Sequence, residues 1–591
     1  MRKVLYFALA ALPWISAVQA QTWVSTATKA LNLANATQLG ALDSSTPLHL
    51  VVALQLRNAD QIQPTLQRMI TPSDPLYGNP YTVSQFVAQF APTASQVQAV
   101  ESYLSSYGFQ NLAVSDNQLV VEADATAGQV TAAFNTALAT FSLNGKTVFA
   151  NTMDAKVPTS LATTVGAVLG LNNVAAVKIP QPPSATNILN GYSPQDFQIA
   201  YDAAYPADAP GGNANKQKVT PNCGGARYCN PNNCAPAIGI IAEGNLGTVS
   251  PNNPTSGNPS SSSTGVIHDL YLYEQNFHLP IVPVTIVNAG IPSPDTAGVD
   301  EWDLDSQTST GLGLYVSRLY FYVATSLTDS DIGLAINKAV SQNQVKAFNM
   351  SFGECEFFPY VDGAMLLDDE LFAEAALQGQ TAFASTGDNG AACPVLPTNG
   401  VPLSGPPAVA YPASSPYVIS SGGTDLFTNS DYTYGYEVSW NAGGGGISVV
   451  ETAPFWESYT GGGTAPIVPS AAAGQRGLPD VAMCADPNTC GALIYVGGTQ
   501  EAVGGTSLSS PLSMGSWARI EGAHGNKLGF AGPLIYQLGI GAPTFSTGPF
   551  NDVILGTNGV YTALPGWDYT TGLGSWDIFQ VNKVIPATYP H

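Results

Sequence analysis

Four short apolar runs constrain this chain more than anything else in it: "APAIGIIAEG" (Ala235 to Gly244), "VKAFNMSFG" (Val345 to Gly353), "QTAFASTGD" (Gln380 to Asp388) and "PYVISSGGTD" (Pro416 to Asp425). Each is a continuous block of apolar and small residues, and helical stretches separate one from the next. Strands buried on both faces read this way, and strands joined through helices run parallel. The expected fold class is therefore α/β, a mostly parallel sheet flanked by helices. Such sheets carry their chemistry at the carboxyl ends of the strands, where the glycines and acids of these runs fall.

The chain before them has a different texture. Helical periodicity runs from Thr82 to Phe109, a strand-like "NQLVVEAD" (Asn117 to Asp124) follows, and a helical pattern resumes from Thr126 to Phe141, which together predict a small α+β unit. "KIPQPPSATNILNGYSPQDF" (Lys178 to Phe197) is rich in Pro, Ser and Asn and reads as an exposed linker. The start, "MRKVLYFALAALPWISAVQA", has a basic n-region, an apolar run and small residues before Ala20, the pattern of a secretory signal. The expected organisation is a signal over 1–20, a first domain over 21–177, a linker over 178–193 and a larger domain over 194–591. No later segment offers the roughly 20 unbroken apolar residues of a membrane span.

Charge narrows the partners. A formal net charge of −23, with only 10% of residues charged, argues against nucleic acid or an anionic membrane, either of which needs a basic surface. At about pH 3 to 4 most carboxylates approach half protonation, so the composition suits acid. Export would permit disulfides among the seven cysteines. Cys484 and Cys490 are spaced to pair locally. Cys223, Cys229 and Cys234 lie in a loop-like stretch that lacks a fourth Cys or a nearby His for zinc, so a disulfide loop is expected there. An odd count leaves one thiol over or bonded elsewhere.

Three stretches carry chemistry. "VGGTSLSSPL" (Val503 to Leu512) holds Ser507 at the start of a helix, where free backbone N–H groups suit a developing oxyanion. Such a serine normally needs a histidine, yet none of His49, His268, His278, His524 and His591 sits in a recognisable catalytic motif. In "DEWDLD" (Asp300 to Asp305), Glu301 and Asp305 are four residues apart and share one helix face, while Asp303 points elsewhere. Like charges so placed share a proton and raise one pKa; the simpler reading is an acidic first turn complementing the helix dipole. In "ASTGDNGAACP" (Ala384 to Pro394) a strand runs into a Gly-Asp-Asn-Gly turn at Asp388.

Together these stretches resemble the sedolisin (serine-carboxyl) peptidases, acid-active relatives of subtilisin that include kumamolisin and are made as proenzymes. The resemblance spans nearly the whole chain after the signal. "SDPLYGNPYTVSQFVAQFAPTASQVQAVESYLSSYGF" (Ser73 to Phe109) is similar to the family's prodomain signature, and "GEC" after "NMSF", "PASSPYVISSGGT" and "GLPDVAMCADP" are similar to family segments. It implies a subtilisin-like catalytic domain behind a ferredoxin-like activation domain. It also implies roles: Ser507 as nucleophile, Glu301 as general base, Asp305 as the partner orienting and polarising Glu301, and Asp388 as an oxyanion-hole carboxyl. A carboxylate then replaces histidine, and a base of pKa near 4 works in acid.

"FNDVILGTNGVYTALPGWDYTTGLG" (Phe550 to Gly574) resembles the family's calcium loop. The resemblance implies one structural Ca²⁺ held by the carboxylates of Asp552 and Asp568 and the main-chain carbonyls of Val553, Leu564 and Gly566, an oxygen-only set that suits a hard cation. Where the family often has glycine this chain has Leu564. The expected protein is a secreted, monomeric endopeptidase that cuts polypeptides in acid, with its own prodomain as intramolecular inhibitor and chaperone. Two rivals remain at this level. An ordinary Ser/His/Asp subtilase is disfavoured because "IGIIAEGN" carries Glu243 and no His-Gly-Thr occurs. A secreted binding protein on a dead peptidase fold is disfavoured because all four proposed catalytic positions are present.

Overall fold

In the computed structural model, which describes residues 21–586 apart from 32, 34–35, 175, 180–181, 187–190, 207–216, 223–233, 394–406 and 541–547, the four apolar runs lie side by side in one nine-stranded sheet. Strand Ala237–Glu243 pairs with Ala347–Met350, that with Thr381–Ser385, and that with Val418–Thr428, all parallel. Strands Arg318–Ala324 and Val284–Asn288 extend the parallel sheet at one side and Val481–Cys484 at the other. Short antiparallel strands, Ser256–Gly257 and Tyr434–Ser439, border it. The α/β expectation holds.

Helix Thr506–Ala523 crosses strands of this sheet and packs along helix Val299–Gly313. Both are buried nearly all round, which their small residues permit: a Cβ on Gly515 would lie 2.7 Å from the Ser309 carbonyl oxygen. The two elements that carry Ser507 and the Glu301–Asp305 pair are thereby held backbone to backbone.

In the N-terminal block an antiparallel sheet runs Gln110–Val114, Val120–Thr126, Pro47–Leu54, Val165–Leu169. Helices Ala94–Ser106 and Ala127–Ala133 bury Val97, Val100, Leu104 and Val130 against Leu50, Val52, Val121 and Ala123. Alternation sends Val51, Ala53 and Ala167 to the other face, where they join the core of the large domain with Leu367 and Leu371 of helix Ala364–Leu377. Polar contacts stitch the same seam. Asn117 Nδ2 donates to Glu374 Oε2 at 2.7 Å and to Asn337 Oδ1 at 2.8 Å, and Leu56 N–H donates to Glu370 Oε1 at 3.0 Å.

Three expectations need correction. The helical reading of Thr82 to Phe109 resolves into Val83–Gln89 and Ala94–Ser106, each begun by a capping box, Thr82 with Gln85 and Thr93 with Gln96. The helix from Thr126 ends at Ala133, and Leu138–Leu143 is a strand; Asn135 takes a positive φ of 42° that stops the helix, and the β-branched and aromatic residues beyond it suit a pleat. The linker is also less free than its composition suggests. Pro182 is buried, and the linker backbone pairs with the large domain on both sides of 180–181, at Lys178 and at Ser184. Pro-rich composition reports the lack of internal pairing, and edges elsewhere in the chain can still use the remaining N–H and C=O groups.

Candidate active site

Glu301 and Asp305 stand one turn apart on helix Val299–Gly313, and neither is exposed to solvent. An acidic first turn that merely complements a helix dipole would sit in water, so the simpler reading fails on burial. Asp303 is buried too, but its environment differs: Gln307 and the charges of Asp269 and Asp300 bear on it. Burial pushes the Glu301 carboxyl well above the usual range, the Asp305 charge pushes it further, and the Ser507 hydroxyl partly offsets both. Burial also raises Asp305, against the Ser351 and Asn349 side chains, which favour its ionised form. Two buried carboxyls one turn apart resist ionising together, although Glu301 and Asp305 Oδ2 make no hydrogen bond to each other.

Ser507 is the second residue of helix Thr506–Ala523 and is fully buried. Its Oγ and both Glu301 oxygens have no hydrogen bond of ordinary length. They bear on each other at longer range, the loose geometry expected of catalytic groups before substrate closes them up. First-turn amides have no helix carbonyl to bond. Here Thr506 N–H donates to Asp388 Oδ1 at 2.8 Å and Leu508 N–H to the Gly505 carbonyl at 2.9 Å, which leaves Ser507 N–H for a ligand.

Asp388 follows strand Thr381–Ser385, and one oxygen does all its holding. Oδ1 accepts from Thr506 N–H and from Thr506 Oγ1, each at 2.8 Å, while Oδ2 is buried without a partner. Burial raises this carboxyl, against the two Thr506 donors. Gly505 has a φ of 90°, and a Cβ there would come 2.6 Å from Asp388 Oδ2, so only glycine lets the carboxyl lie beside the start of the serine helix. The structure thus brings Glu301, Asp305, Asp388 and Ser507 to one place.

Sequence reasoning missed several neighbours. Ser351 donates to Asp305 Oδ1 at 2.6 Å, and Asn349 and Thr506 hold the site from behind. The "NMSFG" run announced only a strand and its turn. Also missed was the path of the linker. Lys178 forms a two-hydrogen-bond antiparallel bridge with Gly353, at 3.0 and 3.1 Å, and Val177 N–H donates to the Leu327 carbonyl. Beyond 180–181, Gly504 N–H donates to the Pro183 carbonyl at 2.9 Å and Ala185 N–H to the Ala502 carbonyl at 2.7 Å. The described parts of the linker thus pair with Gly353 before 180–181 and with the backbone just ahead of Ser507 after it. Beside Asp388 lies a cavity of about 510 Å³ walled by Phe357, Phe358 and the Cys355–Cys393 disulfide, with Leu31 and Leu33 of the N-terminal block at its edge.

The second cysteine pair is Cys484–Cys490, as the spacing suggested. Cys234 is disulfide-bonded, and Cys223 and Cys229 lie outside the described residues, as does the signal-like segment over 1–20.

The five residues expected to hold a cation also fall together. Asp568 is buried, with Oδ1 accepting from Thr570 and Thr571 and Oδ2 from Leu564 N–H at 2.8 Å; Asp552 accepts from Gly566 N–H at 3.0 Å. Burial raises Asp552, and the charge of Asp568 adds to it. Among the described residues no cluster of three or more His, Cys, Asp or Glu could hold a metal, so a cation here would depend on main-chain carbonyls. Those of Val553, Leu564 and Gly566 accept no protein hydrogen bond among the described residues. The donors are all oxygen, and the set fits a hard cation. The Leu564 side chain points to solvent, 56% exposed, which explains why a large residue is tolerated there.

Comparison with known proteins adds an independent line. Residues 34–174 match the Pro-kumamolisin activation domain family. The chain is 36% identical to "Sedolisin" of Pseudomonas sp. (strain 101) over 600 residues, 95% of this chain and 92% of that protein. It is 35% identical to "Xanthomonalisin" of Xanthomonas sp. (strain T-22), covering 93% of this chain and 67% of that one. A solved structure of Pseudomonas sedolisin, a serine-carboxyl proteinase complexed with pseudo-iodotyrostatin, superposes with a TM-score of 0.55 at 33% identity over 68% of this chain and 98% of its own.

Proposed function

This chain belongs to the sedolisin family, serine-type peptidases made with an activation domain, and from that premise we propose that it is a secreted, acid-active endopeptidase in which Ser507 attacks the peptide carbonyl, Glu301 takes and returns its proton, Asp305 polarises Glu301, and protonated Asp388 stabilises the oxyanion. One observation carries the proposal. A buried serine at a helix N-terminus lies between a dry carboxyl pair and a third carboxyl whose free oxygen has no partner. Substrate binds as an extended strand with its carbonyl over Ser507. As Oγ attacks, its proton passes to Glu301, and the growing charge on the carbonyl oxygen meets Ser507 N–H and the Asp388 Oδ2 proton. Glu301 then protonates the leaving amine, and water repeats the cycle on the acyl-enzyme. Asp388 donates only while protonated, which limits the reaction to acid.

Strand order supports the finer fold. One mostly parallel sheet, with Ala237–Glu243 between Arg318–Ala324 and Ala347–Met350 and a helix-borne serine packed on it, is subtilisin-like, and an antiparallel sheet with two helices on one face, in the chain order second, third, first, fourth, is ferredoxin-like. The N-terminal block would act as the inhibitor and folding partner, its linker lying where substrate lies. Maturation is proposed within or near Pro180 to Ser193, where helix Pro194–Ala200 begins with its Ser193 cap. One Ca²⁺ held by Asp552, Val553, Leu564, Gly566 and Asp568 would fix the loop Phe550 to Gly574; bound there it supplies charge neutralisation and cross-linking, and takes no part in the reaction. Among the described residues no helix is long and apolar enough to cross a membrane.

The test is self-processing. Purified proenzyme held at about pH 4 should lose its first block and gain peptidase activity. Ser507→Ala should do neither, and a Ser507→Ala chain that still shortens itself in the absence of other proteases removes the nucleophile assignment.

A further inference from the structure

The carboxyl pair is served by a chain of hydrogen bonds whose direction chemistry fixes. Ser510 Oγ donates to Asn349 Oδ1 at 2.6 Å, Asn349 Nδ2 donates to Ser351 Oγ at 2.9 Å, and Ser351 Oγ donates to Asp305 Oδ1 at 2.6 Å. All four side chains are fully buried and lie on three elements: helix Thr506–Ala523, strand Ala347–Met350 with the residue after it, and helix Val299–Gly313. An amide nitrogen can only donate. Once Asn349 gives its N–H to Ser351, the Ser351 hydroxyl must spend its own proton elsewhere, and its short contact is Asp305 Oδ1. The next acceptor, the Ser507 carbonyl, is 3.5 Å away; Pro511, which has no N–H to give it, leaves that carbonyl without its helical partner.

We propose that Ser351 is a positioning residue for the peptidase reaction: oriented by Asn349 and Ser510, its hydroxyl keeps Asp305 Oδ1 a permanent acceptor, so that Asp305 can share a proton with Glu301 only through Oδ2. Asp305 Oδ2 is buried and has no hydrogen-bond partner. The bond favours the ionised form of Asp305, so the pair gives up its first proton at lower pH, and the singly ionised pair can take the Ser507 proton further into acid. The ionisable groups that bear on the pair are its own two members and Asp388; the strand and the serine helix bring only hydroxyls and an amide. This inference rests on the catalytic roles proposed above.

The experiment measures kcat and KM against pH for the mature enzyme and for Ser351→Ala, Ser351→Thr and Ser510→Ala. Removing a donor from Asp305 disfavours its ionised form, so the pair should lose its first proton at higher pH. The acid limb of kcat/KM should move up by about one pH unit in Ser351→Ala. Its kcat should fall roughly ten- to a hundredfold with KM changed less than about twofold. Ser351→Thr keeps a hydroxyl and should bring the limb back. A folded Ser351→Ala enzyme whose limb stays put, whether fully active or uniformly slowed, overturns the proposal. So does a limb that moves down, because that would mean Ser351 accepts from a protonated Oδ1. Should Ser351→Ala not fold, Ser510→Ala decides, with a smaller upward shift expected and none overturning. The nucleophile control separates the two readings: activity in Ser507→Ala sinks the catalytic assignment, whereas a dead Ser507→Ala beside an unmoved Ser351→Ala limb sinks only the positioning role.

Discussion

Asp388 is held through Oδ1 alone, and its free oxygen decides what its variants should do. Asp388→Ala removes one oxyanion donor, a loss of about 10² to 10³ in kcat by comparison with such donors elsewhere, with little change in KM because the contact strengthens in the transition state. Asp388→Asn offers an amide that donates at any pH, so it should keep more activity than Ala and fall less steeply as pH rises. Kinetics of both variants across pH check this. An Asn variant as inactive as a well-folded Ala variant would assign Asp388 another role, and a fully active Ala variant would make it a turn residue. Asp388, Glu301, Asp305 and Ser507 are reached through the family resemblance of their stretches taken together, because each alone reads as a common turn or an acidic first turn. Ser351, Asn349 and Thr506 stayed hidden. Small polar residues at strand ends and helix starts are common, and only three-dimensional neighbours distinguish a cap from a relay.

Elements were legible where periodicity and chemistry agreed. The buried parallel strands announced themselves as continuous apolar runs, whereas the run through Phe141 was misread because helix and strand patterns overlap in short apolar text and the stop at Asn135 is a backbone conformation. The linker's composition named it a loop and gave no sign of the two edges it would join. The loop Phe550 to Gly574 makes a prediction at this scale. It is built on two carboxylates that bear on each other and on carbonyls left free, so removing a bound cation should lower thermal stability before it touches chemistry. Melting curves with and without chelator, on protein shown by metal analysis to be stripped, check this, and Asp568→Ala should melt like the stripped protein. Equal melting temperatures for stripped and loaded protein would remove the site.

At the scale of the whole molecule, acid should stabilise this fold. Burial raises Glu354, Glu370 and Glu374 to about 8 and Glu437 and Glu521 to about 7, in each case chiefly by taking the charged form out of water. Raised carboxyls give stability that is fully present below their unfolded value, about 4.3, and is lost as pH climbs through the folded one. Forcing one such group to ionise in place costs about 3 kcal/mol or more by pH 8, a large share of a typical margin of about 5–15 kcal/mol. The melting temperature should be highest near pH 4 to 5 and fall steadily toward pH 8; a curve that rises over that span would contradict the burial argument. Glu370 and Glu374 face the N-terminal block through Leu56 and Asn117, so its docking should weaken along with the rest. The linker's pairing with the large domain on both sides of 180–181 adds a consequence of another kind. On the proposed reading the N-terminal block is an inhibitor, and while the chain is whole it is tethered at an effective concentration that dilution cannot change. After one cut the same two surfaces form an ordinary bimolecular complex, and mass action governs it. At a fixed acid pH, dilute protein should therefore become active soon after cleavage, whereas concentrated protein should stay inhibited by its own released N-terminal block, a lag that activity traces over a dilution series would show.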